Sequence, residues 1–295
     1  MKKKHKIIIT VLSILLLVSI GYIVYLEFFV EHNTYYMSYQ QDPSEIYIME
    51  SGIIYNDLEF REGKEYTIKY DFDNEEYKEL IEKYDIKTTA GNGSEFEQAK
   101  NLMNEYSGRL THYSSYDNHV EMNAIDLLDY SLDNKEHGIN CRNKAQILNE
   151  MCLALGIYSR KVWIMPNSIY DTDCHVVNEV WDSKYNKWIM LDITNNMYWV
   201  DDSGNPLSVL EIRNKIANQE FCTPVNSNDD LKDLEKSLDR NYATFLYIAK
   251  NMVYMGYCDV NTKNESENRL LLIPKNLDTN YEFIVSEKVI TAEPK

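Results

Sequence analysis

GINCRNKAQILNEMCLALGI, residues 138–157, is the stretch on which the fold turns. Ala145, Leu148, Cys152 and Leu155 recur at i, i+3/i+4 spacing, with Ile147 and Met151 alongside, so the spacing predicts a helix with one apolar face. Asn140 can cap its start and Gly156 can stop it. Cys141 then occupies the first helical position. Unpaired N–H groups and the positive end of the helix dipole favour an anion there and lower a thiol's pKa. Cysteine is also among the most often buried residue types, and this chain has five, so Cys141 alone is no site.

Working downstream, SRKVWIM (159–165), CHVVNEVW (174–181) and KWIMLDIT (187–194) read as strands. The last two, joined by residues 182–186, are expected to form a hairpin. One register sets His175 opposite Asp192, Val177 opposite Met190, Glu179 opposite Trp188 and Trp181 opposite Asn186. Opposed Cβ atoms lie ~4.5–5.5 Å apart, near enough for a carboxylate to fix an imidazole tautomer. A slip by one residue would put the two side chains on opposite faces. The chain thus offers a thiol at a helix start, an imidazole on one strand and a carboxylate on the next, in the order Cys141, His175, Asp192. That is the thiol form of nucleophile–base–acid logic.

Upstream, residues 74–84, 94–106 and 122–132 have helical spacing, and KTTAGNGS (87–94) is the most loop-like run. The Tyr-rich segment 31–70, with EIYIMESGIIY and EYTIKYDF, reads as strands or extended chain. Beyond the hairpin, 207–217, 231–238 and 242–255 read as helices, and 270–273 and 281–285 as short strands. Helices followed by a meander of strands define an α+β class. The expected division is a core at 95–222, an N-terminal region at 31–94 and a C-terminal α/β extension at 223–295.

The 295 residues carry a formal charge of −17, which disfavours a nucleic-acid partner. The charge is uneven. Lys2, Lys3, Lys4 and Lys6 precede IIITVLSILLLVSIGYIVYL (7–26), a run without charge and long enough to cross a ~30 Å hydrocarbon core. Its length and the bulky residues after it favour an uncleaved single-pass anchor over a signal peptide. The leading lysines keep residues 1–6 cytoplasmic, so the rest is expected outside the cell membrane. The five cysteines, Cys141, Cys152, Cys174, Cys222 and Cys258, form no C-x-x-C pair, so a structural zinc site lacks support. The acidic runs around 71–76, 201–202 and 229–230 lack ligand-loop spacing and read as solvated faces, so no metal or other cofactor is expected.

Residues 137–196 as a whole resemble the transglutaminase-like superfamily. The resemblance rests on Gly138, Cys141, Ala145, Leu155, Gly156 and Ile157, then His175, Glu179, Val180, Trp188, Leu191, Asp192 and Thr194, at matching spacings. It implies a papain-like α+β core, with a nucleophile helix packed on an antiparallel sheet, and Cys141 as nucleophile, His175 as base and Asp192 as orienting acid. Arg142 departs from the aromatic of animal members, and Cys174 directly precedes His175, where a disulfide with Cys141 would block the site. The expected activity is amide acyl transfer through a thioester, as a cysteine peptidase or a transamidase. Proteins, peptides or wall peptide outside the cell are the expected substrates. A surface binding or scaffolding module that keeps the fold without turnover is the competing reading.

Overall fold

The computed structural model describes residues 2–25, 43–229, 231–264 and 268–295. The chain divides into two compact units, Met1–Ile46 and Tyr47–Lys295. In the first, helix α1 runs Lys2–Tyr25. Its side chains are described from residue 10 onward, and its apolar ones, such as Leu15 and Leu17, are exposed. Among the described residues no helix meets the length and apolarity needed to cross a membrane.

The second unit is built on a seven-stranded sheet. Its strands are β2 (Ser159–Met165), β3 (His175–Asp182), β4 (Lys187–Asp192), β5 (Met197–Val200), β6 (Thr223–Asn226), β7 (Tyr254–Cys258) and β9 (Arg269–Leu272). Their order is β6-β5-β4-β3-β2-β7-β9, and every neighbouring pair is antiparallel. A two-stranded parallel ribbon joins β1 (Lys69–Tyr70) to β8 (Val260–Asn261). Strands from both flanks of the expected core therefore pair inside this one unit.

Both faces of the sheet are covered. On one lie α3 (Glu76–Tyr84), α4 (Ile86–Ala90), α5 (Glu95–Ser107), α6 (Ala124–Asp133) and α7 (Cys141–Ala154). Leu102, Leu127, Leu148 and Met151 pack there against Val180, Ile189 and Leu191. On the other lie residues 47–55 of α2 (Pro43–Tyr55), α8 (Val209–Ala217) and α9 (Leu234–Lys250), with α10 (Glu287–Thr291) contributing Ile290. Ile54, Ile212, Ile216 and Phe245 pack there against Val177, Met190 and Trp199. Because both faces are covered, every residue of β2 and β3 is buried, Arg160, Lys161, Asn178 and Glu179 among them.

Three sequence expectations are corrected. EIYIMESGIIY belongs to helix α2, because Ile54 needs a helical face to reach the core while Ile48 and Met49 stay outside. The two helices expected at 231–238 and 242–255 are one, α9, and its tail becomes strand β7 where Asn251 ends the helix. Residues 281–285 make bridges at Ile284 and Val285 but no strand.

The hairpin register is also shifted, by two residues. Trp181 pairs with Trp188 and Asp182 with Lys187. Asp182 belongs to the strand rather than the loop. Its Oδ1 accepts the N–H groups of Lys184 and Tyr185 at 3.0 Å each, and Asn186 closes the turn at φ 53°. An even shift keeps each side chain on its expected face.

Candidate active site

Helix α7 begins where the sequence places it. Asn140 Oδ1 accepts the Asn143 N–H at 3.2 Å, and Asn143 Oδ1 accepts the Asn140 N–H at 3.1 Å, a reciprocal cap that fixes Cys141 as the first helical residue. Gly138 lets the chain approach this start closely, since a Cβ there would lie 2.7 Å from Tyr113 Cβ. At the other end Gly156 leaves the helix at φ 77°.

The sheet brings the other two residues to the helix start. Continuing the observed register sets Asp192 opposite Val177, so His175 meets Asp192 diagonally rather than directly. Such neighbours lie ~7–8 Å apart at the backbone, a gap an imidazole spans. His175 Nε2 and Asp192 Oδ2 are 2.9 Å apart, both residues almost wholly buried. The second ring nitrogen is left for Cys141, which hydrogen-bonds His175. His175 and Asp192 sit on the face of the sheet opposite α7. Cys141 reaches them because His175 is the first residue of β3, where the sheet ends.

Electrostatics favour a charged pair. Burial raises the Cys141 thiol pKa, but the hydrogen bond and charge of His175, with the Val176 N–H, outweigh it and leave the thiol lowered. Burial lowers His175, yet the charge and hydrogen bond of Asp192, aided by Cys141, push it up to about 10. Burial also opposes ionisation of Asp192, and His175 and Asn195 overcome it. Asp192 Oδ1 accepts the N–H groups of Thr194 (3.0 Å) and Asn195 (3.2 Å), and Oδ2 accepts Asn195 Nδ2 at 2.7 Å. Every lone-pair direction of this carboxylate is used.

The C-terminal segment closes one side. The Tyr247 ring on α9 meets the His175 ring edge-on, with centroids 5.6 Å apart. Tyr247 Oη donates to Asp173 Oδ1 at 3.2 Å, and Lys250 pairs with Asp173 at 2.9 Å and Asp171 at 3.2 Å. The segment leading into His175 is thereby tied to α9. Cys174 is exposed, and all five thiols are free.

Sequence reasoning brought together Cys141, His175 and Asp192, and the structure assembles all three. It missed two basic neighbours. Lys144 lies one turn beyond Cys141 and is buried. His112, on the segment bridged to Ile139, is near enough that the charges of Lys144 and His175 add to burial in lowering its pKa. A lysine three residues after the cysteine of an inward-facing helix was the readable signal for the first. Nothing in the sequence marked the second. Among the described residues no group of three or more His, Cys, Asp or Glu could hold a metal ion.

Residues 82–193 match the family model for the Transglutaminase-like superfamily, and the matched segment runs through helices α5–α7 and strands β2–β4 of the antiparallel sheet. Among solved structures, the chain is similar to the crystal structure of a "putative cysteine protease" from Cytophaga hutchinsonii. That likeness has 14% sequence identity, a TM-score of 0.32, and covers 71% of this chain and 55% of the other. The chain thus spans about half the length of that protein. No curated protein matches the chain.

Proposed function

We propose that the protein is a thiol acyl-transfer enzyme held at the outer face of a cell membrane, with Cys141 as nucleophile, His175 as acid and base, and Asp192 as orienting group. The observation that carries this reading is His175 held between a pKa-lowered thiol and a saturated carboxylate. The twenty uncharged residues from Ile7 to Leu26, and the exposed apolar side chains along α1, support the anchor.

The chemistry follows from the charges. The Cys141 thiolate attacks an amide carbonyl, and negative charge develops on the carbonyl oxygen. The Asn140 side chain takes the N–H of Asn143, which leaves the Cys141 N–H at the helix start to face that oxygen. As the tetrahedral intermediate collapses, the C–N bond breaks, the His175 imidazolium gives its proton to the departing amine, and a thioester remains. His175, now neutral, takes a proton from the next nucleophile as that attacks the thioester. Water gives hydrolysis, and a primary amine gives a new amide. Asp192 holds the imidazole in one tautomer throughout.

The test is alkylation of the full-length protein in detergent with limiting iodoacetamide from pH 5 to 9. Mass spectrometry locates the label. Selective labelling of Cys141 below pH 7, abolished in His175→Ala, is expected, followed by turnover of glutaminyl peptides with or without an added amine. Uniform slow labelling of all accessible thiols would sink the proposal.

A further inference from the structure

Lys144 takes no part in the acyl-transfer scheme, and its surroundings are unusual. Three residues beyond Cys141 on α7, its side chain leaves the helix on the same face. The residue is 2% exposed. Among the described residues no hydrogen bond or ion pair is made by its ammonium. Asp192 and Cys141 are close enough for their charges to act on it. Asp192 nevertheless has no acceptor to spare, since His175, Thr194 and Asn195 occupy both its oxygens. The Lys144 Nζ is not among the enclosed, unpaired polar atoms, so the ammonium keeps a contact with solvent and stands open to an incoming anion.

A further cation lies nearby: the charge of Arg269 acts on the exposed Cys174, against those of Cys141 and Asp173. Asp171 and Asp173, the carboxylates bordering this region, are paired with Lys250. The chain as a whole carries −17, so these cations are a local reversal rather than a general property of the surface.

We infer that Lys144 is a carboxylate-binding residue of the site, and that the protein acts on acidic peptides carrying a carboxylate beside the amide that Cys141 attacks. This rests on the acyl-transfer reading above. The bound carboxylate supplies the acceptor the ammonium lacks, and the Arg269 charge helps to draw the anion in.

Iodoacetate and iodoacetamide alkylate the same sulfur and differ in one negative charge. The full-length protein in detergent is treated with each at pH 6.5 and low ionic strength, and the rate at Cys141 is read by mass spectrometry. Glutathione gives the reference ratio for an unstructured thiol. The expected iodoacetate preference at Cys141 is about tenfold above that reference, the factor given by ~1.4 kcal/mol. Lys144→Met, which keeps the length of the stem, should bring the ratio down to the reference, as should Lys144→Gln. Lys144→Arg should retain it. An unchanged ratio in both neutral variants would overturn the inference. So would equal slowing by both reagents, which would mean that Lys144 serves only the thiolate. The absolute iodoacetamide rate is a separate readout. A wild-type Cys141 no faster than glutathione would sink the acyl-transfer reading, while the ratio would still report what Lys144 presents to an anion.

Discussion

Glu179 belongs to the transglutaminase-like pattern, but its carboxylate is spent on holding the sheet together. Its Oε2 accepts Arg160 Nε at 3.0 Å and Nη2 at 2.6 Å, and its Oε1 accepts the Val209 N–H at 2.9 Å at the start of α8. Arg160 Nη2 also donates to the Ile290 carbonyl at 2.9 Å, and its guanidinium lies 3.8 Å from the Trp188 ring centre. Arg160 is 2% exposed and Glu179 1%. Glu179→Ala removes three acceptor contacts and strands a buried guanidinium and a buried N–H. Breaking a buried pair in this way costs about 3–5 kcal/mol. At about 2–4 °C per kcal/mol for a domain of this size, the melting temperature should fall by about 10 °C. Urea unfolding followed by tryptophan fluorescence measures it, because Trp188 packs on the pair. The double variant Arg160→Met/Glu179→Leu removes both charges, and should lose only about 1–2 kcal/mol, chiefly from the unpaired Val209 N–H. A loss below about 1 kcal/mol in Glu179→Ala, or a double variant weaker than the single, would refute the claim that this pair is dry.

Asp192→Asn should lower the His175 pKa from about 10 and so leave the proton on the Cys141 thiol to higher pH. The alkylation midpoint then moves alkaline by about one unit, a tenfold loss of rate at pH 6, read by the same labelling assay. Glu150 is buried and its carboxyl is pushed up to about 8, burial outweighing hydrogen bonds from Gln146 Nε2 (2.7 Å) and the Ala124 N–H (2.9 Å). Because the unfolded group ionises first, stability should fall as pH rises from about 4.5 to 8. Glu150→Gln keeps both contacts and should gain about 2 kcal/mol at pH 7.5 and nothing at pH 4, checked by urea midpoints. Gly138→Ala should cost about 1–3 kcal/mol and slow Cys141 alkylation, since the new methyl meets Tyr113 Cβ. Unaltered stability and rate would show that the 111–113 segment yields freely.

What was legible in the sequence was local or periodic. The α7 cap, the Gly156 stop, the helices at 76–84, 95–107 and 124–133, and the hairpin all follow from short-range pattern. The two-residue register error traces to Asp182, whose side chain closes the turn from within the strand. Alternation could fix the face of His175 and Asp192 but not their offset, because only parity is written in a strand with both faces buried. Helix α2 was misread because its apolar residues do not fall on one helical face: Ile48 and Met49 are exposed while Ile54 is buried. Lys144 and His112 escaped notice because their importance lies in distance to other charges, which no spacing rule records.

The placement of His175 at the first residue of β3 explains why the site draws on both layers of helices. A nucleophile helix packed on one face cannot touch a strand residue pointing to the other face, except where the strand begins. The pair must therefore sit at the sheet's end, and there its far side would be open to water. Helix α9 covers that side, with Tyr247 against the imidazole and Lys250 gripping Asp171 and Asp173. The desolvation that strengthens the His175–Asp192 bond thus depends on residues 234–250 as much as on the strands that carry the pair. On the proposed reading, an acidic protein thereby presents a half-buried Cys141 thiol beside the Lys144 ammonium.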